Sequence, residues 1–138
     1  MAKAAVTLNA GIDGAWTQLQ QLATWEGVAG IEDLREPTHD AQGDLSSFRF
    51  TIDTSVGRID GQATVEADKP KMVITGSQKG LEITIALVVT GEGDTSQANI
   101  EAYSKATKFL AKPLELALNA LLDSGLDDEA AKIAARVN

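Results

Sequence analysis

The chain has 138 residues, of which 43% are hydrophobic and only 4% aromatic, and its formal net charge is -8. This length corresponds to about one domain and is enough to bury an aliphatic core without disulfides or structural metals. The negative charge disfavours binding to nucleic-acid phosphates and to anionic membrane surfaces. Because the chain has no cysteine, thiolate catalysis and cysteine-based zinc sites are excluded. We expect a single domain over residues 1–138.

The N-terminal forty residues predict a strand followed by helix. Apolar and polar residues alternate over residues 6–10, which is typical of a strand. Asp13 is expected to cap a helix whose apolar residues recur at helical spacing to about Ala23. Gly27 and Gly30 then predict a turn or a second short helical piece.

The middle of the chain predicts a series of strands. Short turns at Gly57, Lys69-Pro70, Lys79-Gly80 and residues 91–94 connect them, so neighbouring strands should be antiparallel. Each strand has one apolar and one polar face, which indicates a sheet covered on one side. The predicted strands cover residues 31–36, 48–53, 58–66, 72–77, 81–89 and 97–103, the first ending at Pro37 and followed by a polar loop over residues 39–44.

The C-terminal segment predicts a long helix from Lys105 to Asp123. Its apolar arc is about twice the 100° of an ordinary surface helix, so the sheet should grip it. Pro113 should either begin this helix or kink it, and Gly125 should end it before a second short helix from Asp127 to Val137. The residues expected to face the sheet are Ala106, Leu110, Pro113, Leu114, Ala117, Leu118 and Leu121, with Lys108, Lys112, Glu115, Asn119 and Asp123 on a polar strip.

This order of elements resembles the helix-grip fold of the START-like (SRPBCC) superfamily, which includes the birch-pollen allergen and polyketide cyclase families. Locally, residues 6–10 followed by Asp13-Gly14-Ala15-Trp16 look like its opening strand and helix start. Residues 28–32 resemble the passage into its second strand, and residues 109–115 the start of its long helix. The chain is most similar to bacterial polyketide cyclase/dehydratase-like proteins and to proteins like the G-type subunit of carbon monoxide dehydrogenase. The expected fold class is α+β, with a curved antiparallel sheet of about six or seven strands.

The resemblance implies an apolar cavity between sheet and helix that binds a small hydrophobic molecule such as a lipid or polyketide. We expect no cofactor, no nucleic-acid partner, no stable membrane insertion and a cytoplasmic location. Small residues such as Gly61, Ala63, Ala98 and Ala102 either leave space for a ligand or let the helix approach closely. The candidate ligand-binding residues are Trp16, Trp25, Phe50, Ile52, Ile59, Ala63, Val65, Ile74, Ile83, Ile85, Leu87, Ile100, Leu110, Leu114 and Leu118.

The predicted inward faces carry no catalytic group. No Asp, Glu, His, Lys or Arg falls on them, so we assign no catalytic residue and favour a binding protein over an enzyme. The single histidine, His39, is expected to be exposed in its loop. A zinc site usually needs three or four His, Cys or carboxylate ligands, so with one histidine and no cysteine we expect no metal site. For Trp16 and Trp25, core packing is the stronger interpretation and ligand contact the weaker one.

Two alternatives stay open at this level. A cyclase-like enzyme would need a polar group reaching inward from residues 25–39 or from Arg49. An accessory protein that recruits a partner or a membrane would need an exposed apolar patch, for which Ile133 and Val137 are the candidates. For the binding hypothesis, the substitution Ala63→Phe should abolish binding and leave the fold largely intact.

Overall fold

The computed structural model describes residues 1–54 and 57–138. Seven strands and a long C-terminal helix account for most of the chain, and two short helices follow the first strand. Short 3-10 helices precede β2 and α3. The strands are β1 (Ala2–Leu8), β2 (Ile31–His39), β3 (Leu45–Thr54), β4 (Gly57–Asp68), β5 (Lys71–Gln78), β6 (Leu81–Thr90) and β7 (Ser96–Ala106); the helices are α1 (Ile12–Leu19), α2 (Leu22–Trp25) and α3 (Lys112–Arg136).

The strands form one antiparallel sheet in the order β1-β7-β6-β5-β4-β3-β2. Strands β2 to β7 follow one another as a meander that begins at the β2 edge of the sheet. Strand β1 forms the opposite edge and pairs with β7 from Ala2↔Ala102 to Leu8↔Ser96. Burial alternates along β5, β6 and β7, so one face of the sheet is covered and the other is exposed to solvent. The α+β class and the order of elements predicted from the sequence are confirmed. The turn predicted at Gly57 lies beside residues 55 and 56, which are outside the described part of the chain.

The core lies between the covered face of the sheet and the three helices. The ring of Phe50 lies over Gly61 and Gly76, where an added Cβ atom would collide with it. Ala98 and Ala102 are also fully buried on β7, against which α3 packs. The small residues of the inner face therefore permit close packing, and the space they leave is already filled by side chains of this chain.

Several predicted boundaries in the first forty residues were wrong. The first strand covers residues 2–8, because small alanines at its start pair with β7 although they carry little apolar signal. The helix cap is Gly11, and Asp13 lies in the first turn, where it forms an ion pair with Lys69. Strand β2 continues through Pro37 because it is an edge strand, where a missing backbone N–H breaks no ladder hydrogen bond.

Helix α3 also differs from its prediction. It begins at Lys112, with Pro113 in its first turn, and runs through Gly125 without a break. A glycine in a helix costs only about 1 kcal/mol, and the packing on either side of Gly125 outweighs this cost. Its buried residues are Leu122, Leu126, Ala130 and Ile133, most of them beyond the predicted end of the helix at Asp123. Of the face expected to meet the sheet, Leu114 and Leu118 are partly buried against the core. Within the described residues, no helix is long and apolar enough to cross a membrane.

Candidate binding groove

Two neighbouring cavities lie along the N-terminal half of α3. The first has a volume of about 920 Å³ and is bordered by the ends of β4 and β5 and by the start of α3. The second, of about 450 Å³, continues toward the middle of α3 beside Ile52, which pairs with Ile59 of the first cavity. We call the two cavities together the groove. Its apolar lining residues are Ile59, Leu110, Ala111, Pro113, Leu114 and Ala117 in the first cavity and Ala29, Ile52, Ile83, Leu118, Leu121 and Leu122 in the second.

The orientation of α3 is set by hydrogen bonds to the end of β7. Strand β1 pairs with β7 only as far as Ala102, so the peptide groups of Ser104 lie beyond its reach. Asn119 replaces the missing strand: its Oδ1 accepts from Ser104 N at 2.7 Å, and its Nδ2 donates to Ser104 O at 3.1 Å. Ser104 Oγ also donates to the backbone oxygen of Glu115 at 3.0 Å. The polar strip of the helix therefore faces the sheet edge.

This orientation turns the apolar strip of the first half of α3 toward the groove. Residues advance by about 100° around a helix, so Leu118 lies about 100° and Leu121 about 160° from Asn119, both on the same side of it. Leu118 is half-buried and Leu121 is exposed, and both line the second cavity. The sequence predicted the apolar strip, of which Leu114 and Leu118 pack partly against the core and also border the groove. It did not predict that Asn119, on the polar strip, satisfies two backbone groups of β7.

The two ends of the groove differ in charge. Arg58, Lys79 and Lys108 border the first cavity together with one carboxylate, Asp60. Arg58 Nε pairs with Asp53 Oδ1 at 3.0 Å, and Arg35 Nη2 reaches Asp60 Oδ1 at 3.3 Å. This end is therefore cationic.

The far end of the groove is acidic. Asp53, Asp128 and Glu129 border the second cavity. Glu129 Oε2 accepts from the Ala29 backbone N–H at 3.1 Å and pairs with Lys132 Nζ at the same distance. A ligand with a positive charge would be favoured here and disfavoured at the first cavity.

One buried polar side chain, Gln78, lines the first cavity. It is 9% exposed and continues the inner face of β5 after Met72, Ile74 and Gly76. Its Oε1 atom has no hydrogen-bond partner among the described residues. Gln78 was not among the residues predicted from the sequence, although the period-two pattern of β5 extends to it.

The structure divides the predicted ligand-binding residues into two groups. One group lines the groove, and their contact with a ligand stays a prediction: Ile52, Ile59, Ile83, Leu110, Leu114 and Leu118. The other group is buried and borders neither cavity: Trp16, Trp25, Phe50, Ala63, Val65, Ile74, Ile85, Leu87 and Ile100. Ala63→Phe would therefore overpack the core between β3 and β5 and would not test the groove.

Both tryptophans form hydrogen bonds within the core. Trp16 Nε1 donates to Asp44 Oδ1 at 2.9 Å, and Trp25 Nε1 donates to Leu19 O at 2.8 Å. Trp16 borders a separate surface depression beside Asp44. These contacts agree with a packing role for each indole.

The titratable side chains named by the enzyme hypothesis point away from the groove. Arg49 is exposed and its Nε pairs with Glu36 Oε2 at 3.4 Å, and His39 is exposed at the end of β2. On α3, a hydrogen bond from Lys112 holds the pKa of Glu115 below its ordinary value, but this pair flanks the sheet edge. The described part of the chain also contains no group of three or more His, Asp or Glu side chains placed to hold a metal ion.

Comparison with solved structures decides the fold family. A START superfamily protein from Mycobacterium smegmatis superimposes with a TM-score of 0.70 at 12% identity, over 98% of this chain and 94% of that one. A protein from Thermus thermophilus gives a TM-score of 0.70 at 11% identity, over 99% and 95%. The chain has the START-like helix-grip fold. At these identities the likeness concerns the fold alone.

The same fold occurs in a di-domain ARO/CYC protein. The di-domain ARO/CYC StfQ from the steffimycin biosynthetic pathway matches with a TM-score of 0.69 at 14% identity, and the match covers 98% of this chain and 49% of StfQ. No protein-family model and no curated protein matches the sequence. The predicted START-like fold with polyketide cyclase-like relatives is confirmed, and the likeness to the G-type subunit of carbon monoxide dehydrogenase stays a prediction.

Proposed function

We propose that the protein binds a small hydrophobic molecule in the groove. The observation that carries this proposal is the orientation of α3, whose N-terminal half directs an apolar strip toward a cavity of about 920 Å³. Ligand pockets in proteins typically have volumes of about 300–1,000 Å³ and predominantly apolar linings. A bound apolar molecule would cover this strip, as the sheet covers the other half of the helix.

The exposure of the groove-lining side chains supports a ligand. Leu110 is 91% exposed and Leu121 is 66% exposed. Leaving apolar surface in water costs roughly 25 cal/mol for each Å², and clustered apolar surface on a soluble protein usually marks a binding site. A ligand in the groove would therefore bury these two leucines, which packing within the chain leaves exposed.

The test compares one substitution at two exposed alanines of the same helix. Ala117 lines the first cavity, and Ala120 borders neither cavity. Ala117→Trp should occupy the groove and weaken binding of the uncharged probe N-phenyl-1-naphthylamine at least about tenfold, by loss of buried apolar contacts. Ala120→Trp should bind the probe as the wild type does, because Ala120 borders neither cavity.

Probe fluorescence and isothermal titration calorimetry would measure these affinities, with thermal unfolding as the check on folding. Equal binding by both variants would contradict the proposal. Native mass spectrometry of gently purified protein, followed by solvent extraction, would then identify the class of any molecule retained from the cell.

A second candidate function, recruitment to an anionic membrane, is favoured by one surface feature. Phe109 is 90% exposed beside Leu110, and Lys105, Lys108 and Lys112 lie close to them in the sequence of a chain whose net charge is -8. Such a combination of inserted apolar groups and basic residues binds anionic headgroups. Sedimentation with phosphatidylserine vesicles, lost in Phe109→Ser, would support recruitment, and absence of sedimentation by the wild type would exclude it.

The prediction that Ile133 and Val137 form the exposed apolar patch of an accessory protein was wrong. Ile133 is 1% exposed and Val137 is fully buried, since both pack into the core.

A further inference from the structure

The first cavity of the groove collects positive charge on an acidic chain. The net charge of the chain is -8, yet of the charged side chains described at this cavity three are cationic, Arg58, Lys79 and Lys108, and one is a carboxylate, Asp60. Arg58 and Asp60 are already paired with charged groups elsewhere on the sheet. Across the part of the chain that the structure describes, Lys79 and Lys108 form no ion pair. The cavity is therefore left with two uncompensated positive charges.

One tight turn fixes the backbone that carries these two lysines. Lys79 and Gly80 connect β5 to β6, and Gly80 has a left-handed backbone with a φ of 86°. Its carbonyl oxygen accepts a hydrogen bond from the Thr107 backbone N–H at 2.6 Å. The aliphatic stem of Lys108 lies directly over Gly80, where an added Cβ atom would be only 2.9 Å from Lys108 Cβ. The turn thus holds both lysines at the border of the same cavity.

The rest of the groove is suited to a hydrocarbon chain. Ile59, Leu114 and Ala117 supply apolar wall beside the lysines, and Leu118 and Ile83 continue it in the second cavity. The lysines would repel an ammonium head group and attract an anionic one. The start of α3 borders the same cavity, and its dipole has the same sign as the lysines. The carboxylates at the far end would repel a second negative charge, so the ligand should be anionic at one end only.

We propose that the groove selects anionic amphiphiles, whose carboxylate pairs with Lys79 and Lys108 and whose apolar chain runs along α3 toward the second cavity. This inference rests on the proposed function and names its ligand class. The apolar wall binds the chain, and the two lysines determine specificity by the charge of the head group. Because both lysines are exposed, the head group keeps part of its hydration, and the cost of burying a charge is avoided.

The experiment uses decanoate and 1-decanol, two probes with the same number of carbon atoms and different head-group charge. Isothermal titration calorimetry at about pH 8, where the carboxylate and the lysines are both charged, gives the ratio of the decanoate affinity to the decanol affinity. Lys79→Gln/Lys108→Gln should lower this ratio about three- to tenfold, because two exposed charge interactions are lost. Added salt should lower the wild-type ratio in the same direction. Glutamine keeps the Cβ and Cγ atoms that lie over Gly80.

Two further variants locate the effect. Lys3→Gln/Lys71→Gln removes the same charge from two exposed lysines that border neither cavity of the groove, and it should keep the wild-type ratio. Ala117→Trp, which fills the first cavity, should weaken the binding of both probes. Thermal unfolding checks that each variant is folded.

The outcomes separate this inference from the proposed function. If neither probe binds the wild type, the groove is not a ligand site and the proposed function fails. If both probes bind but the ratio is unchanged in Lys79→Gln/Lys108→Gln, the groove binds apolar molecules and the lysines do not select the head group. An equal fall of the ratio in Lys3→Gln/Lys71→Gln, or decanoate binding that survives Ala117→Trp, would also overturn the inference.

Discussion

Both halves of α3 carry apolar side chains at helical spacing, but these side chains have different surroundings in the two halves. In the C-terminal half, Leu122, Leu126, Ala130 and Ile133 are buried against β1 and β7. In the N-terminal half, Leu114 and Leu118 pack only partly against the core and also border the groove. Leu121 is exposed, and the hydrogen bonds to β7 come from Asn119. The apolar strip thus moves around the helix between its ends. One continuous helix is consequently a core element over half its length and a cavity wall over the rest.

The C-terminal half is also held from its other side. Lys132 Nζ donates to Gly27 O at 3.2 Å, and Arg136 Nη1 donates to Thr24 O at 3.1 Å. The N-terminal half has the hydrogen bonds to Ser104 described above. The two ends of the helix are therefore held by different parts of the fold.

The strongest loss of stability should come from truncating a leucine in the buried half, compared with the same truncation in the groove half. Leu126→Ala removes a side chain that is 5% exposed and should lower the free energy of unfolding by about 2–5 kcal/mol. Leu121→Ala removes one that is 66% exposed and should cost less than about 1 kcal/mol. Urea unfolding at constant m-value measures both. Similar losses in the two variants would show that the N-terminal half is as tightly packed as the C-terminal half.

A smaller loss is expected where the groove half is held to the sheet. Asn119→Ala leaves the N–H and C=O of Ser104 without their partner and should cost about 1–3 kcal/mol. Amide hydrogen exchange should become faster in the first two turns of α3, while the C-terminal half keeps its protection. Asp123→Ala, on the exposed surface of the same helix, is the control. Unchanged exchange in Asn119→Ala would show that other contacts orient the helix.

The mildest change tests the continuity of α3 at the junction of its halves. Gly125 has a helical backbone, and an added Cβ would meet no atom within 4 Å. Gly125→Ala should therefore raise the free energy of unfolding by about 0.5–1 kcal/mol, measured by thermal or urea unfolding. A loss of stability would instead indicate the helix end at Gly125 that the sequence suggested.

Prediction from sequence succeeded where a residue's partners lie close in the chain. The period-two patterns of β3 to β7 and their short turns specified an antiparallel meander, because each strand pairs with its sequence neighbour. Prediction was less accurate at β1, whose partner β7 is distant in the chain, and at Pro37, where only the edge position explains the continued strand.

The site was harder to predict than the fold. The sequence analysis recognised the apolar strip that includes Leu110, Leu114 and Leu118. These three residues line the groove, as do three predicted ligand-binding residues of the sheet, Ile52, Ile59 and Ile83. Inner-face residues such as Phe50, Ile85 and Ile100 have the same pattern but fill the core. Alternation reports which face is covered and does not report what covers it.

Local periodicity and turn chemistry were sufficient for the α+β class, the order of the elements and the presence of one strongly apolar helix. Contacts between distant elements settled which face of that helix meets the sheet. That choice depends on Asn119 satisfying two backbone groups of Ser104, a contact between residues on different elements that no local pattern encodes. The groove that α3 borders follows from this choice.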